Sequence, residues 1–84
     1  MVLEFEPHAL FRMRRRQIPE RAVYDLFGDY DRRVDRDDGS VEDHGSWDGR
    51  GLLAVVEWLD ADERDGYVFT VIDVNTRVRR RRRP

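Results

Sequence analysis

The stretch LLAVVEWL at residues 52–59 is the most apolar run in the chain, and it limits what the chain can fold into. A short continuous apolar run of this kind is typical of a strand that other strands bury. An acidic segment at 60–66 follows it and predicts a solvated loop. The next run, YVFTVIDV at 67–74, is rich in β-branched and aromatic side chains and predicts another buried strand. We therefore place residues 52–59 at the centre of a sheet.

Two short helices are predicted near the N-terminus, after a short strand at 2–5. The segment 7–17 forms the first helix, because apolar residues recur on one side of it, namely Ala9, Leu10 and Met13. Proline disfavours a helical predecessor and suits a first helical position, so Pro19 ends this helix and begins the next. The second helix stops at Gly28 and has its own apolar side, formed by Ala22, Val23, Leu26 and Phe27.

The remaining segments predict β-structure. Residues 32–34 form a short strand, residues 37–40 a turn, and residues 41–47 a polar strand at the edge of the sheet. Asp48-Gly49 is a strong hairpin signal that leads into the apolar run. The predicted order is β-α-α-β-β-β-β, an α+β fold in a single domain at 1–76.

Length and composition favour one small intracellular domain. Eighty-four residues suffice for one modest core and not for two. The chain has no cysteine, so neither disulfides nor thiolate metal sites can stabilise it. The opening MVLEFEPH carries acidic residues and a short apolar run, unlike a signal peptide or a membrane span. We expect a cytoplasmic protein with no membrane association.

Charge is distributed unevenly along the chain. All sixteen basic residues are arginine, and residues 37–65 hold two of them against ten acidic residues. The net charge of −2 argues against general nucleic-acid affinity, whereas the asymmetry allows one basic and one acidic face. The run at 77–84 should repel itself and stay mobile unless a partner neutralises it. We expect polyanion binding at its consecutive arginines, which are Arg79, Arg80, Arg81, Arg82 and Arg83.

The segment EPHALFRMRRRQIPERAV resembles the opening of a bacterial family catalogued only as a domain of unknown function, number 4258 in that series. The matching residues are His8, Ala9, Arg12, Met13, Arg16, Ile18, Pro19 and Val23. Further along, the resemblance includes Gly49, Arg50, Tyr67 and Thr70. That family is similar to the RelE/ParE-type toxin superfamily. The resemblance implies a small antiparallel sheet with a helical hairpin packed on it, metal-independent RNA cleavage, and an antitoxin protein as partner.

His8, Arg12 and Arg16 are the candidate catalytic residues. Their spacing at i, i+4 and i+8 places them in one stripe beside the apolar face of the first helix, and we expect their heads to reach a shallow groove beside the sheet. RNA cleavage by internal attack needs a base for the 2′-hydroxyl and cations for the phosphorane charge. His8 is the candidate base, and the two arginines would hold the phosphate through their planar donor forks.

Two alternatives remain open. In the first, His8 simply begins the helix and bonds a neighbour while Arg12 and Arg16 pair with acidic residues, the candidates being Glu4, Glu20 and Asp73. In the second, the protein is a non-catalytic interaction module that binds protein or nucleic acid, with 37–65 as its partner face. His44 is a candidate acid partner of His8, although an exposed strand histidine is commonly just solvated. Neither metal-ligand spacing nor a phosphate-binding glycine loop is present, so we expect no metal and no cofactor.

Overall fold

A computed structural model describes residues 1–74 of the protein. The elements follow one another as β1 (Val2–Phe5), α1 (Pro7–Arg15), α2 (Glu20–Gly28), β2 (Arg32–Asp35), β3 (Val41–Trp47), β4 (Arg50–Trp58) and β5 (Asp65–Asp73). This confirms the predicted α+β class and the predicted order of helices and strands. The predicted domain end at residue 76 and the arginine run at 77–84 lie outside the described residues.

The five strands form one sheet in the order β1-β5-β4-β3-β2, with β4 at the centre as predicted. The strands from β2 to β5 are antiparallel neighbours, whereas β1 pairs with β5 in parallel, Val2 lying opposite Asp65. The two helices connect β1 at one edge of the sheet to β2 at the other edge. Three antiparallel connections then lead through β3 and β4 to β5, which lies beside β1. An antiparallel sheet, as the resemblance implies, is therefore found from β2 to β5 but not at β1.

The helix α1 is capped at its start and stops earlier than predicted. The Glu6 side chain accepts a hydrogen bond from the backbone N–H of Ala9 at 3.0 Å, which satisfies one free donor of the first turn. The helix was expected to reach Gln17, but it ends at Arg15, and Gln17 adopts a left-handed conformation with φ 60°. This turn directs Ile18 into the core. No helix among residues 1–74 is long and apolar enough to cross a lipid bilayer.

The core lies between one face of the sheet and the two helices. Most of its buried side chains come from α2, β4 and β5, and they include Ala22, Val23, Leu26, Phe27, Leu52, Ala54, Val56, Val68 and Val71. Gly45 on β3 allows α2 to approach closely, because a Cβ atom there would lie 2.7 Å from Cδ1 of Leu26. The face of α1 opposite its buried residues Ala9 and Met13 remains exposed to solvent.

The prediction that β3 is an edge strand is wrong, because β3 lies between β2 and β4. Its polar sequence suggested an edge, but the inward-facing Asp43 has a side-chain partner within the fold. Arg33 on the neighbouring strand β2 forms an ion pair with this carboxylate at 2.7 Å. A buried and paired carboxylate is compatible with an interior strand, and β2 is the edge instead.

The turn between β2 and β3 contains a carboxylate with a lowered pKa. The hydroxyl of Ser40 donates to Oδ1 of Asp38 at 2.6 Å, and the backbone N–H of Ser40 donates to the same oxygen at 3.0 Å. These hydrogen bonds lower the pKa of Asp38 below its ordinary value of 3.8, and the one from the hydroxyl has the largest effect. The charge of Arg36 lowers the pKa of Asp38 further. This contribution to stability is present above the ordinary pKa and is lost as the pH falls below it.

We expect Ser40→Ala to raise the pKa of Asp38 toward its ordinary value, because the substitution removes the hydrogen bond with the largest effect. The measurement is an NMR pH titration of the Asp38 side-chain carboxyl carbon. As a control, Arg36→Ala removes only the weaker charge interaction and should raise the pKa by less. An unchanged Asp38 midpoint in Ser40→Ala would show that the hydroxyl does not control this titration.

Candidate functional site

The predicted stripe residues His8, Arg12 and Arg16 all line one shallow depression on the exposed side of α1. Phe11 and Arg15 complete its lining. All five side chains are exposed to solvent. The depression thus lies on the helix and its C-terminal end, whereas the sequence predicted a groove beside the sheet. Its lining combines a histidine, three guanidinium groups and one aromatic ring.

His8 and Arg12 are joined directly by a hydrogen bond. Nε of Arg12 donates to Nε2 of His8 at 3.1 Å, as their spacing of one helical turn allows. Because Nε2 accepts this bond, it carries no proton in this arrangement. Arg12 keeps the four N–H donors of its two Nη groups for another partner. The pair therefore presents guanidinium donors beside an imidazole nitrogen that accepts a hydrogen bond.

The arginines of the depression have no carboxylate partner among residues 1–74. Arg12 bonds to His8, and Cζ of Arg15 lies 5.7 Å from the centre of the Phe11 ring. Other arginines of the described chain do form ion pairs with carboxylates, namely Arg33, Arg36 and Arg50. Among the described residues, the predicted pairing of Arg12 and Arg16 with acidic residues is therefore not found, whereas the bond of His8 to a neighbour, which belongs to the same alternative, is present. The depression is a local concentration of positive charge on a chain that is net acidic.

Arg50 holds the C-terminal end of α1 against the sheet. Its Nη2 donates to the backbone oxygen of Arg16 at 2.9 Å and its Nη1 to that of Gln17 at 3.1 Å. Arg50 also forms a salt bridge with Asp73 on β5 at 2.9 Å. The guanidinium thus satisfies carbonyls at the end of the helix and fixes the position of Arg16. Sequence reasoning noticed Arg50 as part of the resemblance but assigned it no role.

His44 does not meet His8. It lies on β3, and its Nε2 is 3.1 Å from Oε1 of Glu42 on the same strand. The strand β4 separates β3 from β5, against which α1 packs. Within the described residues, the side chain of His44 has its polar contact with Glu42 and none with α1. His44 is therefore a surface strand histidine and not part of the depression.

A second polar cluster, separate from the depression, joins three segments of the chain. Arg33 donates to both carboxylate oxygens of Asp43, at 2.7 and 2.8 Å, and to Glu63 in the loop before β5 at 2.5 Å. The Asp43 side chain is fully buried, and the Tyr30 ring covers the guanidinium at 4.3 Å. The hydrogen bond with Asp43 is the main cause that raises the pKa of Arg33. Sequence analysis missed this cluster, because it placed Glu63 in a solvated loop.

The donors of this second cluster are already occupied by carboxylates, so its role is structural. Arg33 ties β2, β3 and the loop between β4 and β5 together through charge-assisted hydrogen bonds. Among residues 1–74, no three or more side chains of His, Asp or Glu are grouped as metal ligands would be. The candidate residues Arg79 to Arg83 lie outside the described residues.

Comparisons with known proteins add no further information about this surface. No family model, no curated protein and no solved structure matches the chain. The resemblance to the family of unknown function and to the RelE/ParE-type toxins thus stays a prediction from the sequence motifs. The geometry of α1 is the basis for any functional proposal.

Proposed function

We propose that the protein binds the phosphate backbone of RNA along α1. The observation behind this proposal is that Arg12, Arg15 and Arg16 line one depression without carboxylate partners in the described chain. Guanidinium groups bind phosphate oxygens through paired donors, and a polyanion would relieve the repulsion among the three cations. Because the net charge is −2, the attraction depends on this local patch and not on the whole protein.

The choice of RNA follows from the resemblance to RelE/ParE-type toxins. In that setting the arginine run from Arg79 to Arg83 provides additional phosphate contacts. An acidic segment of an antitoxin protein would compete for the same cations, since carboxylates and phosphates use the same guanidinium donors. The proposal therefore predicts one cationic surface with two mutually exclusive anionic partners.

We expect the double variant Arg12→Gln/Arg16→Gln to lose RNA affinity roughly tenfold near 0.15 M salt. Each lost phosphate contact on a single strand reduces the slope of log K against log salt by about 0.7, so two contacts reduce it by about 1.4. Fluorescence anisotropy of a labelled oligouridine across a salt series measures both quantities. Glutamine is a good helix former, so α1 should persist, which circular dichroism can check.

The matched control is Arg32→Gln/Arg64→Gln, which removes the same charge from exposed arginines outside α1. This control should change the affinity and the salt slope much less than the α1 variant does. Equal losses in the two double variants would mean that binding responds to overall charge and not to the depression. That result would contradict the proposal.

A second candidate function is metal-independent RNA cleavage, favoured by the position of His8 beside Arg12. When a phosphate binds the N–H donors of Arg12, the hydrogen bond from Arg12 to Nε2 of His8 is lost. Nε2 is then available as a proton acceptor. It can then take the proton of a 2′-hydroxyl, whose oxygen attacks the adjacent phosphorus while the 5′-oxygen leaves and takes a proton from solvent. The arginines stabilise the charge that develops on the phosphorane. Without this step, the same surface serves a non-catalytic RNA-binding module.

A further inference from the structure

We infer that α1 selects unpaired nucleotides, because a base stacks on the exposed ring of Phe11. This inference rests on the proposed function, since it names the class of RNA that the same depression binds. It assigns a specificity role to a residue that neither the stripe nor the resemblance includes. The occupant of the depression is then single-stranded RNA and not a duplex.

Phe11 is an exposed aromatic residue that lines the cationic depression. Its side chain is 54% exposed, and it does not belong to the hydrophobic core. The ring lies nearly parallel to that of His8, at 17° and with centres 6.4 Å apart. Arg15 approaches the ring at 5.7 Å. Phe11 thus combines an open aromatic surface with adjacent cationic groups.

This combination is what proteins use to hold single strands. Such proteins place aromatic rings for base stacking beside positive groups that contact the backbone. Bases within an RNA duplex are already stacked on each other, and the deep, narrow major groove keeps side chains away from them. An unpaired base can reach Phe11 while its flanking phosphates meet the guanidinium groups of Arg12 and Arg16. A duplex would offer phosphates only.

Other exposed aromatic rings in the described chain lack this environment. Tyr30 is covered by Arg33, but carboxylates neutralise that guanidinium. Phe69 is 41% exposed and packs edge-to-face with Tyr67, with no arginine stacked on either ring among residues 1–74. Phe69 is therefore a suitable control, since it is an aromatic ring of similar exposure without the cationic surroundings.

The test compares an oligouridine of about 10 nucleotides with an abasic strand of equal phosphate number and with an RNA duplex. We expect Phe11→Ala to weaken oligouridine binding roughly 5- to 30-fold, since stacking on one ring contributes affinity of this order. Binding of the abasic strand should not change, because it has no base to stack. Phe11→Trp should retain the affinity, and Phe69→Ala should match the wild-type protein. Wild-type protein should prefer oligouridine to the duplex.

Two results would overturn the inference. One is an equal loss of affinity for oligouridine and the abasic strand in Phe11→Ala, which would indicate a damaged helix and not lost stacking. The other is unchanged oligouridine binding in Phe11→Ala while Arg12→Gln/Arg16→Gln still weakens it. In that case backbone binding stands and the stacking role fails. Failure of the wild-type protein to bind any of the three probes would remove the proposed function itself, and the inference with it.

Discussion

Replacing Arg33 by alanine is expected to lower the free energy of unfolding by about 3 to 5 kcal/mol. The substitution leaves the carboxylate of Asp43, which is fully buried, without the guanidinium that donates to both of its oxygens. Arg33 is itself only 18% exposed, so the ion pair is largely shielded from solvent. Chemical denaturation at neutral pH measures the loss. Because the pKa of Arg33 is raised in the folded state, its contribution to stability is fully present below the ordinary pKa of arginine, which includes the mildly alkaline range, and is lost as the pH rises from there through the folded-state pKa.

Two control variants separate this mechanism from a general surface effect. Arg36→Ala removes an exposed ion pair with Glu42 and should cost at most about 1 kcal/mol. The double variant Arg33→Leu/Asp43→Leu removes both charges and should recover much of the stability, since the buried unpaired carboxylate is then gone. A cost for Arg33→Ala no larger than that for Arg36→Ala would show that the buried ion pair does not stabilise the fold.

His8→Ala is expected to reduce the rate of RNA cleavage by about a hundredfold to ten-thousandfold, the usual effect of removing a positioned general base. Its RNA affinity should remain close to that of the wild-type protein, because the proposed phosphate contacts are made by the guanidinium groups and not by His8. Single-turnover cleavage of labelled RNA in the presence of a chelator measures the rate. His44→Ala is the matched control and should retain the rate, since His44 contacts Glu42 and lies away from α1.

Arginine variants should behave differently from the histidine variant. Arg12→Ala should reduce both affinity and rate, and Arg12→Lys should restore them only in part because lysine lacks the planar donor fork. Cleavage that persists undiminished in His8→Ala would exclude His8 as the base. If the wild-type protein binds RNA but cleaves neither free RNA nor RNA on ribosomes, the non-catalytic module is its function.

Local patterns in the sequence sufficed to predict the helices, the hairpin and the alignment of His8 with Arg12 on one side of α1. Side chains four residues apart on a helix are neighbours whatever the rest of the fold does, and these two are hydrogen-bonded. Asp48 and Gly49 both adopt positive φ, as a tight hairpin requires. In these places the backbone conformation is set by a few adjacent residues, so the sequence is informative without tertiary contacts.

Long-range pairings could not be predicted in this way. The ion pair of Arg33 with Glu63 spans 30 positions, and nothing in the acidic segment marks Glu63 as the one that would turn inward. The parallel pairing of β1 with β5 likewise joins segments from opposite ends of the described chain, so the sequence of β1 alone does not predict it. The depression on α1 was only partly foreseen, because the periodicity that aligned His8 with the arginines gave no weight to Phe11.

The pairing of β1 with β5 has a consequence for the synthesis of the protein. The strand β1 leaves the ribosome before the other described strands, but its neighbour in the described sheet is β5, the last of them, with Val2 opposite Asp65. A nascent chain can form α1 early, yet β5, the strand against which α1 packs, emerges last among the described strands, and the Arg50–Asp73 pair that holds the end of the helix forms at the same stage. The side chains that line the cationic depression all come from α1 and its C-terminal cap, so the depression can form with the helix, but the end of the helix is fixed against the sheet only when the last described strand is in place.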